Sequence, residues 1–148
     1  MKKAILPLLA AVVLALGFSS CEHQTMRSCE VTIQPGQWVT NGNVNYYYAT
    51  AHWDELDPDV VDYGIVNAYL IKDGYQNLLP FVTPITYINA LDTDGDGYGD
   101  TDVTVAENIR FDVRYGEITF IIEDMDGYLP GDMNGTVPMT FRIVALGD

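Results

Sequence analysis

Residues 108–123 restrict the possible folds of this chain more than any other stretch. Apolar and polar residues alternate strictly over 108–115, and a second run of β-formers follows over 117–123 beyond Tyr115-Gly116. A period of two sends every second side chain to one face, which marks strands with one buried side. A two-residue turn at Tyr115-Gly116 sets Arg114 opposite Glu117, Val113 opposite Ile118, Phe111 opposite Phe120 and Ile109 opposite Ile122. The apolar pairs then share one face and the charge pair falls on the other. A slip of one residue would turn the whole apolar set to solvent, so the pattern itself specifies the register.

Shorter runs of β-formers, each bounded by turn signals, lie at 29–33, 43–53, 65–71, 77–82, 86–91 and 139–146. Gln34-Pro35-Gly36 stops the first, Asn41-Gly42 precedes the second, and Lys72-Asp73-Gly74-Tyr75 closes the third with a turn. Within 43–53, period two puts Tyr47, Ala49, Ala51 and Trp53 on a face expected to point inward, with Tyr46, Tyr48, Thr50 and His52 opposite. The run 65–71 is apolar on both faces except for Asn67, as for a strand covered on both sides. Pro80 pushes 77–82 toward an edge or a bulge. In the last run Phe141, Ile143 and Ala145 share a side. Asp57, Pro58 and Gly64 supply the cap, first position and stop of one short helical turn. No long helix, heptad or internal repeat is present. Seven or eight short strands in one domain predict an all-β, antiparallel β-sandwich of the immunoglobulin-like kind, with a closed barrel as the second arrangement.

The first residues, Met1-Lys2-Lys3, an uncharged run over 4–18 and Ser19-Ser20-Cys21, have the layout of a secretory signal, too short to span a bilayer comfortably. The small residues before Cys21 resemble the lipobox of bacterial lipoproteins, with Phe18 and Ser20 departing from the commonest form. That resemblance implies cleavage ahead of Cys21, a diacylglycerol on its sulfur, palmitate, and attachment to a membrane of the cell envelope, facing the periplasm or the surface. The chain then divides into a signal peptide over 1–20, a lipidated terminus and tether over 21–28, and a domain over 29–148. Ordinary cleavage near Ser20, leaving a soluble secreted protein, is the alternative. Residues 1–20 carry two of the seven basic residues and none of the 21 acidic ones, so the remainder bears a formal charge of −16. Such a charge argues against nucleic acid as a partner. With Cys21 assigned to lipid, Cys29 is left without a disulfide partner, and neither His23 nor His52 sits in a nucleophile motif.

Between the strand-like runs lies an acidic loop over 92–102. Asp92, Asp94 and Asp96 place carboxylates at every second residue, the Tyr98 carbonyl and Asp100 follow, and Gly97 stands where the chain must turn. Oxygen donors at this spacing suit Ca2+. The loop is similar to thrombospondin type-3 and EF-hand-like calcium loops. It departs from them at the twelfth position, where Val103 replaces a carboxylate, which predicts an affinity of about 0.1–1 mM. A solvated turn that binds nothing is the plainer alternative.

Two further constellations carry candidate chemistry. His52-Trp53-Asp54-Glu55 with Asp57 gathers carboxylates beside an aromatic, and Asp54 and Glu55 suit a small glycoside hydrolase if they face each other across a cleft. The structural alternative makes Trp53 a core anchor, Asp57 a helix cap, and Asp54 and Glu55 a solvated rim. Tyr46 and Tyr48 share a strand face and are candidates for gripping a glycan or a protein ligand. Trp53, the stretch 56–70, Leu79-Pro80-Phe81 and the ending Pro138-Met139-Thr140-Phe141-Arg142-Ile143-Val144 resemble the small lipoproteins of the Bacteroidota, which share a β-rich domain behind a lipobox cysteine. The resemblance transfers no catalytic residue. The expectation is a non-enzymatic, lipid-anchored surface accessory or binding module with a structural calcium loop. The alternatives are the small hydrolase and an assembly subunit with no small ligand.

Overall fold

The structure is a computed structural model and describes residues 25–40, 46–91, 93–96, 101–125 and 136–147. Its strands are β1 (Thr25–Ile33), β2 (Tyr46–His52), β3 (Ile65–Lys72), β4 (Tyr75–Leu78), β5 (Phe81–Leu91), β6 (Thr101–Arg114), β7 (Glu117–Asp124) and β8 (Met139–Gly147). A 3-10 turn spans Pro35–Gln37, and one helix, α1, spans Pro58–Tyr63. The strands form two antiparallel sheets, ordered β1-β8-β3-β4 and β2-β7-β6-β5, that close over a common core as a β-sandwich. Each sheet keeps two edges, so the barrel alternative does not apply. Lettered in chain order the sheets read A-H-C-D and B-G-F-E, whereas an immunoglobulin constant domain has ABED over CFG. The layers are those expected; the connectivity belongs to this chain.

The β6–β7 hairpin has the expected register, with Arg114 opposite Glu117, Phe111 opposite Phe120 and Ile109 opposite Ile122. Gly116 supplies the positive φ, +73°, that its turn requires. Alternation also places the core correctly elsewhere. Tyr47 and Ala49 are buried, with Ala51 and Trp53 packed against them, and Phe141, Ile143 and Ala145 line the inner face of β8. The two layers meet at Phe120 of β7 and Phe141 of β8, whose rings stack with centroids 3.9 Å apart and planes 15° from parallel. Trp38 and Phe141 make a T-shaped contact, their ring centroids 6.4 Å apart. Asp57 caps α1 as expected, its Oδ1 accepting the Val60 N–H at 2.9 Å, and Gly64 ends the helix.

Three boundaries and one burial expectation differ from the sequence reading. β1 begins at Thr25, so residues 25–28, read as tether, are strand and pair with the end of β8. Backbone bonds to a central strand suffice there, although the residues are too polar to show a pattern. The run 77–82 is not one strand. It breaks at the cis Leu79–Pro80 bond, where buried Leu79 anchors the corner and the chain passes from β4 in one sheet to β5 in the other. The outer face of β3 is only partly covered, for Ile65 is 54% exposed. Finally, β6 starts at Thr101, with Leu91 opposite Thr101 beyond an irregularity in β5, so the acidic loop ends at residue 100 and Asp102 is a strand residue.

Candidate functional site

Of the acidic loop, residues 93–96 are described and are exposed; Asp92, Gly97, Tyr98 and Asp100 lie outside the described residues, as does Cys21. Asp94 Oδ1 accepts the Asp96 N–H at 3.1 Å, an Asx turn, and Gly95 sits at φ +81°. The Asp94 carboxylate therefore shapes the turn. Among the described residues no three His, Cys, Asp or Glu side chains converge on a point that would hold a metal ion.

Of the carboxylates near Trp53, Glu55 and Asp57 converge on a cation, while Asp54 is exposed and forms no ion pair with it. Arg27 of β1 holds Glu55 Oε2 at 3.2 Å through Nε and Asp57 Oδ2 at 2.9 Å through Nη1. Glu55 and Asp57 thus fasten the first strand to the helix cap, while Trp53 packs on the core as the structural alternative anticipated. His52 is well exposed, its Nδ1 3.6 Å from Glu117 Oε1. The Val60 N–H and then the Arg27 guanidinium hold the Asp57 carboxyl below its ordinary range. A carboxylate depressed on folding contributes stability that is present above its unfolded value, about 3.9, and is lost as pH falls through the folded value. Asp57→Ala is accordingly expected to lower the melting temperature at neutral pH, with the gap to the native chain closing in acid below about pH 4. Thermal melts of both chains from neutral pH to about 2 check this. Cys29 is half-buried, and burial pushes its thiol up, which keeps the nucleophilic thiolate scarce.

Tyr46 and Tyr48 do share the outer face of edge strand β2, their ring centroids 6.2 Å apart and tilted by 57°. Opposite them on β7 stand Glu123 and Ile121. Ile121 has outward register yet is only 5% exposed, flanked in register by Tyr48 and Arg110. Glu123 accepts from Arg110 Nε at 2.6 Å and Asn108 Nδ2 at 2.9 Å, and Arg110 holds its carboxyl low. The tyrosine face is thus backed by a fixed polar lattice.

A cavity of about 370 Å³ opens between the sheets along β5. It exists because β4 has 4 residues and β5 has 11, so the far half of β5 runs on without a β4 neighbour above it. Leu70, Ile85, Ile109 and Met139 give it apolar walls, with Thr136–Pro138 leading into β8 and Asp102 beside Ile88 along the same wall. Lys72, the last residue of β3, also lines it. Its Nζ donates to Thr83 Oγ1 at 2.8 Å and to the Pro84 carbonyl at 3.2 Å. Opposite Thr83, the fully buried Glu107 accepts the Tyr87 hydroxyl at 3.2 Å. The sequence reading missed both Lys72 and Glu107. A signal existed for each: Lys72 follows Ala68 and Leu70 on the inward register, and Glu107 falls between the inward Val105 and Ile109. The size and lining fit the lower end of small-molecule sites, apolar walls with few polar groups. Compared with family models, curated proteins and solved structures, the chain matches none, so its function is read from the geometry of its own residues.

Proposed function

We propose that the chain is a lipid-anchored extracytoplasmic protein that serves as a surface accessory or binding module. Cys21 carries the acyl chains that hold it to a membrane of the cell envelope, each buried methylene contributing about 0.8 kcal/mol. The observation that supports binding is the cavity along β5, whose apolar walls come chiefly from strand residues such as Leu70, Ile85, Ile109 and Met139. The paired Tyr46 and Tyr48 rings favour a second ligand face, for a glycan or a protein, on the outside of the same sandwich. In this reading the acidic loop is a structural Ca2+ site that draws on Asp92, Asp94, Asp96, the Tyr98 carbonyl and Asp100, with water completing the shell.

Metabolic labelling with palmitate, followed by membrane fractionation, tests the anchor. The native chain is expected to take up label and sediment with membranes, and Cys21→Ser to lose both. A Cys21→Ser chain that remains membrane-bound would contradict the reading. In the same lipid-free chain, calorimetry is expected to show one calcium site at about 0.1–1 mM; no heat and no thermal shift at that concentration would remove the metal from the account.

A further inference from the structure

After residue 20 the chain has five basic side chains: Arg27, Lys72, Arg110, Arg114 and Arg142. Arg27 is held by Glu55 and Asp57, Arg110 by Asp112 and Glu123, and Arg142 by Glu30. Arg114 stands opposite Glu117 in register at the exposed hairpin end, away from any cavity wall described above. Lys72 is the basic residue that lines the cavity. Its two hydrogen bonds go to a hydroxyl and a carbonyl, both neutral, and no carboxylate of the described residues forms an ion pair with its Nζ. The nearest acidic neighbours do not answer it. Asp73, next in the chain, shares a second depression with Lys72, Thr83, Tyr75 and Phe81 yet forms no ion pair with Nζ, and Glu107 is engaged by Tyr87. An ammonium has three donors, so two bonds leave one to offer.

The cavity around that ammonium is lined chiefly by apolar side chains, with three threonines and Asp102 as its other polar ones. Pro84 has no N–H, and the Pro84 carbonyl is taken by Lys72, so this part of the β5 edge is poorly suited to pairing with another strand. A peptide adding to β5 is therefore disfavoured, and a small ligand lying between the layers is not. From Pro84 to Ile88 the strand advances by roughly 13 Å. A molecule with its charge at Lys72 can extend that far along Ile85 and Met139 before it reaches the Asp102 end. Among the described lining residues Lys72 is the only basic one, so the site answers a single negative charge.

We propose that the cavity along β5 binds a small amphipathic monoanion, such as a medium-chain carboxylate, with its apolar body between the sheets and its oxyanion on Lys72 Nζ. The proposal rests on the cavity's being the ligand site, and it adds the chemical class and the residue that selects it. A carboxylate must approach against a formal charge of −16, so a preference for it over a neutral alcohol reports a local contact and not the overall field. The alternative role for Lys72 is to blunt the β5 edge, in which case ligand charge is irrelevant.

The test uses the full mature chain carrying Cys21→Ser, so that neither lipid nor detergent competes for the cavity. Octanoate and 1-octanol are titrated by calorimetry at physiological salt, into the native cavity and into Lys72→Gln. Octanoate is expected to bind once per chain and about tenfold or more tighter than octanol, the scale of one charge-assisted hydrogen bond. Lys72→Gln is expected to bring octanoate down to the octanol level while octanol binding and the melting temperature hold. Octanoate binding no tighter than octanol in the native cavity overturns the assignment to Lys72 and leaves the cavity as a neutral apolar site. Binding of neither compound overturns the cavity reading itself.

Discussion

Phe141→Ala is expected to lower the unfolding free energy by about 3–5 kcal/mol in urea denaturation. Phe141 lies on β8, a central strand of its sheet, and is fully buried; its ring stacks on fully buried Phe120 of the other sheet and makes a T-shaped contact with Trp38. Truncation removes the transfer energy of a whole ring and leaves a void. Neighbours on two rigid sheets have no freedom to collapse into that void. The aromatic contact adds about 0.5–1.5 kcal/mol beyond area. A domain of this size has only about 5–15 kcal/mol in total, so the variant is expected to be partly unfolded in mild denaturant. A loss under about 1 kcal/mol would mean that the ring is not where the layers meet.

Gly64→Ala is the second large effect, and it arises from crowding rather than from a hole. Gly64 joins α1 to β3 with ordinary extended φ, so the backbone angles alone would admit alanine. A Cβ at this position, however, would stand 2.2 Å from the Leu146 carbonyl oxygen and 2.6 Å from that of Val60. Both obstacles are backbone, one in the helix and one in β8, and neither can rotate away. Gly147 makes the same accommodation from the other side, since a Cβ there would meet Val60 Cγ2 at 2.5 Å. The two glycines let Val60 seat the helix on the end of β8. Gly64→Ala is expected to cost about 3 kcal/mol or more, above the usual overpacking range because backbone must shift. Far-ultraviolet melting of the variant, with Gly74→Ala as a control whose added Cβ meets nothing within 4 Å, separates crowding from loss of turn conformation at φ +80°. An equal loss in both variants would remove the packing explanation.

Those two positions show what was readable in the chain and what was not. Phe120 and Phe141 fall on inward registers that alternation alone assigns, and the turn at Tyr115-Gly116 fixed the pairing of β6 with β7. The helix was legible because Asp57, Pro58 and Gly64 act within a few residues of one another. Features that depend on distant parts of the chain were not legible. The polar start of β1 is held by backbone pairing to β8, more than a hundred residues later, and leaves no apolar signal. That Glu55 and the cap residue Asp57 share the Arg27 guanidinium was not legible, because Arg27 lies about thirty residues earlier, on β1. The cavity follows from the unequal lengths of β4 and β5, set by the corner at Leu79–Pro80. Lys72 could have been placed inward by counting from Leu70, but a single lysine at the end of an apolar run reads as a strand terminus.

The central claim is that β7 and β8 belong to different sheets and meet face to face. A nuclear Overhauser spectrum of the lipid-free chain with labelled phenylalanine tests it directly. The account predicts strong cross-peaks between the Phe120 and Phe141 rings, whose centroids lie 3.9 Å apart, together with cross-strand peaks linking β1 to β8 and β2 to β7. Ring protons of Phe120 and Phe141 with no mutual cross-peak, or backbone peaks pairing β7 directly with β8 in one sheet, would contradict it.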